Sequence, residues 1–190
     1  MHQLEPYFNW RDRYRSEDDG ASPFYGREYD EFSFSTKIYN YYIHPQWDHI
    51  GSPTLYIKIL FADYEQGFAI IELIGEWNDA INNDIMFLKR EIIDVLIPEG
   101  INKFILIGEN VLNFHGSDDC YYEEWMEDIQ DAEGWVILSN FQQHVVEEMR
   151  EHCIHYHFFV GEQYDLSEWR KHKPEAILQM LDARLLKSLN

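Results

Sequence analysis

The chain has 190 residues, 45% of them apolar and 16% aromatic, and its 35 acidic and 15 basic side chains give a formal charge of −20. That length supports one buried core without staples and that apolar share excludes disorder. The charge repels phosphate backbones, which argues against nucleic acid and anionic membrane surfaces as partners. Two cysteines, Cys120 and Cys153, are too few for a disulfide framework and read as thiols of a reducing compartment. No stretch reaches the ~20 apolar residues of a membrane span, and Met1 to Pro6 has neither a basic region nor an apolar run. A cytoplasmic protein is expected.

The first part of the chain is aromatic and charged but lacks a helical period. Ser16 to Gly20 and Ser22-Pro23 read as exposed loop. Glu31 to Ile43, rich in Phe, Tyr and Ile, predicts a strand, and His44 to Pro53, with two prolines and a glycine, a connection. The aromatic residues Tyr7, Phe8, Trp10, Tyr14, Phe24, Tyr25 and Tyr29 are expected to wrap the sheet edge, because so much exposed apolar area would be a liability; a dimer contact is the alternative.

From Thr54 the pattern is regular. Thr54 to Ala62 and Phe68 to Trp77 are β-rich runs whose turn, Asp63 to Gly67, predicts an antiparallel hairpin. In Asn78 to Ile97, residues Ile81, Ile85, Leu88, Ile92 and Leu96 keep the spacing of one helix's buried stripe, ended by Pro98 and Gly100. Ile101 to Ile107 predicts a short strand, Gly108 to Ser117 a loop, and Tyr122, Trp125, Met126 and Ile129 a helix that Gly134 ends. Trp135 to Leu138 is the next strand. Asn140 and Gln143 have the form of a capping box, with Phe141, Val145 and Met149 on the face of the helix it opens.

Ile154 to Val160 reads as the last strand. Asp165 and Glu168 suggest a further capped helix with the stripe Trp169, Ile177, Leu181, Leu185 and Leu189; Pro174 marks either a kink or the first turn of a separate helix. The order is a β-hairpin followed by αβαβαβα. It predicts an α/β fold with a mixed, mostly parallel sheet, an N-terminal β extension and a C-terminal helix. The expected organisation is an aromatic extension over 1–53 packed on a core over 54–165, then a helical segment over 166–190, in one compact domain overall.

Over about Thr54 to Val160 this order resembles the STAS domain, the family named for sulfate transporters and anti-sigma-factor antagonists. Phe68 to Gly100 is similar to the family's strand ending in Gly-Glu and its first helix. Phe104 to Gly134 is similar to its central strand, functional loop and second helix, and Gly134 to Val160 to its last strand-helix-strand unit. The resemblance implies a STAS-like topology and action by docking through that loop and the start of the second helix. In the antagonists an Asp-Ser-Ser-Gly-like turn there carries a phosphorylated serine. Here the place reads Phe114-His115-Gly116-Ser117-Asp118-Asp119, without the preceding acid or the following glycine.

Ser117 has a plain role as a helix N-cap, with Asp118 and Asp119 in the favoured first turn. A phosphate on Ser117 would face those two carboxylates and Glu123 and Glu124, with no Arg or Lys nearby in sequence, so a phosphosite is disfavoured. The run Glu109 to Glu133 contains no Lys or Arg; it reads either as a solvated acidic face or as a docking face for a basic partner, with Tyr121 as an aromatic anchor. His155 and His157 would share a face if they lie on a strand, but no second spaced pair completes a ligand set, so they are weak metal candidates. Glu72, Glu76 and Asp79 are close in sequence, a spacing without diagnostic value.

No nucleophile elbow, phosphate loop, dinucleotide fingerprint or His-Glu-x-x-His motif is present. No catalytic residue or cofactor is assigned. The function expected is a non-enzymatic regulatory or scaffolding module. It would bind a protein with a basic surface through His115, Ser117, Asp118, Asp119, Tyr121, Glu123 and Glu124, and a homodimer is compatible with the sequence. The alternatives are an enzyme or small-molecule binder whose site is assembled from distant residues, and a histidine-based metal-binding protein.

Overall fold

The computed structural model describes residues 4–188, so Met1 to Gln3 and the stripe residue Leu189 lie outside the described residues. The strand expected over Glu31 to Ile43 is only a small hairpin, β1 (Lys37–Ile38) with β2 (Tyr41–Tyr42). Tyr39 at φ 51° reverses the backbone between them, which a continuous strand cannot accommodate. The following connection carries β3 (Asp48–His49), an edge strand paired antiparallel with β4 (Leu55–Asp63). β4 and β5 (Phe68–Asn78) form the expected hairpin.

The helix expected over Asn78 to Ile97 is interrupted. Asn83, in the left-handed region at φ 56°, separates α1 (Asp79–Asn82) from α2 (Asp84–Leu88). The break turns Ile81 out of the predicted stripe, leaving it 83% exposed, while Ile85, Leu88, Ile92 and Leu96 are buried. A π-helical turn over Lys89–Ile93 then widens the backbone before α3 (Asp94–Leu96), so that the consecutive Ile92 and Ile93 are both buried.

The largest departure from expectation is β6 (Lys103–His115), which runs through most of the stretch expected as a loop, from Gly108 as far as His115. Its second half stays paired with β5, Gly75 opposite Val111 and Trp77 opposite Phe114, across two register shifts. Val111 and Phe114 are fully buried there. The shifts interrupt the two-residue alternation that marks a strand in sequence.

After β6 come α4 (Cys120–Gln130), β7 (Trp135–Ser139) and α5 (Gln143–Glu151). The expected strand Ile154 to Val160 is a 3₁₀ turn at Ile154–Tyr156 followed by the two-residue β8 (Phe159–Val160). Pro174 opens a separate last helix, α6 (Pro174–Ser188). The six-stranded sheet has the order β3-β4-β5-β6-β7-β8, antiparallel up to β5 and parallel from β5 to β8. This is the mixed, mostly parallel α/β sheet with a C-terminal helix that the element order predicts.

Each face of the sheet has its own apolar layer. On one, Ile57, Ile71, Phe104 and Leu138 join residues of α2 to α5 such as Leu88, Trp125 and Val145. On the other, Ile70, Ile105 and Ile137 join Trp10, Trp169 and the α6 residues Ile177 and Leu181. The small hairpin and Trp47 cover Ile74 and Tyr56 further along that second face. Trp10 and Phe24 are buried, whereas Phe8 and Tyr25 stay exposed, so part of the aromatic segment covers sheet rather than an edge.

Because Phe114 belongs to the strand core and not to a loop, Phe114→Ala is expected to cost ~3–5 kcal/mol in chemical denaturation. A loop residue at that position would cost under about 0.5 kcal/mol.

Candidate functional site

The carboxyl end of β6 leads directly into α4, and all seven predicted docking residues lie along this path. His115 ends β6, with Nδ1 3.7 Å from Glu148 Oε1 on α5. The Ser117 cap is not formed: Cys120 is the first helical residue, and Ser117 is exposed three residues earlier. Asp118 supplies the turn instead, its Oδ1 accepting from the Cys120 N–H at 3.3 Å. Hydrogen bonding by Cys120 holds the Asp118 carboxyl below the usual range. His157 Nε2 is 2.9 Å from Asp119 Oδ2, and that contact lowers the Asp119 carboxyl in the same way. Gly116 leaves room for the His152 ring, which a Cβ would strike.

On α4 the side chains divide by face. Tyr122, Trp125 and Ile129 are buried, while Glu123, Glu127 and Asp128 are exposed, as is Asp131 just after the helix. Tyr121 lies between, with the Arg90 guanidinium 5.4 Å from its ring centroid. Arg90 also holds Glu124 in a two-pronged pair at 2.6 and 2.8 Å, which depresses that carboxyl. Burial opposes the charge on Lys89, but bonds from its ammonium to Asp128, at 2.7 Å, and to Asp94 outweigh it and hold its pKa above the usual lysine value. Tyr121 and Glu124 are therefore fixed by the π-helical turn, a link 34 residues long for Arg90 and Glu124 that no local motif signals.

Asp79 lies beneath this helix. Its carboxylate accepts from Trp77 Nε1 at 3.0 Å, the Ile85 N–H at 2.8 Å and Tyr122 Oη at 2.5 Å, yet burial pushes it up to about 6. Glu72 projects instead among the second layer, so the two carboxylates do not pair. Glu76 accepts from Tyr39 Oη at 2.7 Å and Asn113 Nδ2 at 3.1 Å.

The expected capping box at Asn140 is likewise absent. Asn140, at φ 60°, exchanges side-chain bonds with the Leu166 backbone, and Gln142 precedes the helix. His155 and His157 do not share a strand face, since the strand is replaced by the 3₁₀ turn; His155 stacks on Tyr156. Among the described residues no three or more His, Cys, Asp or Glu side chains converge as a metal set.

The sequence matches no family model and no curated protein. Among solved structures, the chain is similar to that of the anti-sigma factor antagonist SpoIIAA in its unphosphorylated form, with 16% identity over 65% of this chain and 94% of that one and a TM-score of 0.47. It is also similar to the phosphorylated form of SpoIIAA, described as a Bacillus cell fate determinant, with 15% identity over 65% and 97% of the two chains and a TM-score of 0.42. Among the described residues no helix is long and apolar enough to cross a membrane.

Tyr122→Phe removes one of Asp79's three donors and is expected to cost about 1–3 kcal/mol. Asp79 takes up a proton on folding, so wild-type stability falls as pH rises from the ordinary carboxylate range towards about 6. The variant should raise the Asp79 midpoint further, as a carboxyl ¹³C titration would show.

Proposed function

We propose that this chain is a regulatory interaction module that takes up a basic protein surface on the outer face of α4 and the turn before it. One observation carries the reading: the outer carboxylates Glu123, Glu127 and Asp131 are exposed, while the nearby cations Lys89 and Arg90 are already engaged by Asp94, Glu124 and Asp128. Like-signed side chains in one exposed row steer an oppositely charged partner and repel acidic ones. Tyr121 offers an aromatic anchor at the row's margin, its ring orientation restrained by Arg90. His115, Ser117, Asp118 and Asp119 form the rim at the carboxyl edge of the sheet, where α/β folds commonly place their sites.

The network selects the informative variants. Glu124→Lys would put a cation against Arg90 and disturb the fold, whereas Glu123 and Glu127 are free of that contact. In capture from a native lysate, Glu123→Lys/Glu127→Lys is expected to lose its bound protein. Glu65→Lys/Glu99→Lys, an equal charge change among exposed residues at the opposite end of the central strands, should keep it. The association rate should fall with salt as the Debye length shortens from ~10 Å at 0.1 M to ~3 Å at 1 M. Equal loss in both double variants would reduce the effect to net charge and refute a local docking face.

A further inference from the structure

Glu72 is a carboxylate in the middle of β5, 1% exposed, on the sheet face away from α1 to α5. Two segments distant in sequence close over it. From one, the Tyr7 N–H donates to Glu72 Oε2 at 2.9 Å. From the other, Arg170 brings Nη2 to 3.5 Å from Glu72 Oε1 and donates from Nη1 to Glu109 Oε2 at 2.7 Å. Glu109 Oε1 also accepts from Trp169 Nε1 and Asn140 Nδ2. The two covering segments are tied to each other: Tyr7 Oη donates to the Arg170 carbonyl at 2.5 Å, and the Tyr7, Trp10 and Trp169 rings meet edge to face.

The remaining charged groups near this point are engaged elsewhere. Lys58, opposite Glu72 on β4, turns its ammonium to Asp48 at 3.2 Å and to Glu17 at 4.0 Å. Arg11 reaches Gln46 and Glu5, and Arg13 pairs with Glu175 of α6. Among the described residues, Glu72 is therefore left with one backbone donor, one long contact to a guanidinium that binds Glu109 more closely, and a like-charged neighbour in Glu109. Burial dominates and pushes the carboxyl up to about 7. Release of the covering segments would return it to water and to the ordinary carboxylate range, with loss of a proton.

We infer that the segment from Leu4 to Tyr14, joined to Trp169 and Arg170, is a proton-locked strap over this face of the sheet, closed while Glu72 is protonated and released as it ionises. The sign follows from the balance: the closed state holds one more proton than the open one, so opening is favoured by rising pH. Leu4 also helps line an apolar cleft of about 200 Å³ with Ile38, Tyr39, Ile74 and Leu112, so release of the strap would remove one wall of that cleft.

The test is amide hydrogen exchange of the full chain between pH 5 and 8.5, corrected for intrinsic exchange. The opening constant at Tyr7 and its neighbours should rise about tenfold per pH unit up to the Glu72 midpoint and then level. Glu72→Gln, neutral and still able to accept from Tyr7, should flatten the profile and keep the strap closed at pH 8. Opening that is independent of pH, or an unchanged profile in Glu72→Gln, would overturn the proposal. Should that variant fail to fold, ¹³C titration of Glu72 in the unaltered chain decides: a midpoint near 7 coincident with the exchange step supports the lock, and one in the ordinary carboxylate range refutes it.

Discussion

Strand β5 is buried over all eleven of its residues, and covering both of its faces is the constraint on which the rest of the structure depends. A strand with antiparallel and parallel neighbours satisfies its backbone through β4 and β6, but its side chains need a layer on each side. Helices α2 to α5 supply one layer. The other is assembled from the chain's two ends, Trp10 from the first and Trp169 with α6 from the second. The long aromatic segment before β4 is thus part of the core's cover.

The same constraint sorts the charges. Acids that fall on β5 or just after it are taken from water, and each is held by a donor from a distant element: Glu72 by Tyr7 and Arg170, Glu76 by Tyr39 and Asn113, Asp79 by Tyr122. Acids on the outer side of α4 stay in water, and the cations beside them are neutralised by Asp94, Glu124 and Asp128. A chain with net charge −20 thereby keeps one helix face that is unbalanced in sign and fixed in shape.

Much of the architecture was legible in the sequence because apolar periodicity survives where elements are regular. The β4-β5 hairpin, α4 and β7 follow the expected runs. The failures have local causes. Left-handed Asn83 and the π-helical turn shift the helical phase, which exposes Ile81 and buries Ile93. Register shifts disguise the second half of β6 as a loop, and β8 is too short to be distinguished from the 3₁₀ turn before it. The residues proposed for docking were readable as part of a contiguous acidic stretch. Arg90, which fixes Tyr121 and Glu124, was not, and neither was Arg170, 98 residues from Glu72. The one available signal for Glu72 was a lone acid within the run Phe68 to Ile74.

If the row on α4 acts through its local field, a defined basic probe should find it without any natural partner. Titration of the ¹⁵N-labelled full chain with a lysine-rich peptide, followed by amide shifts, measures this directly. Perturbations should concentrate between His115 and Asp131 and be lost in Glu123→Lys/Glu127→Lys. Shifts spread evenly over the exposed carboxylates, or centred on Glu65 and Glu99 at the far end of the central strands, would contradict it.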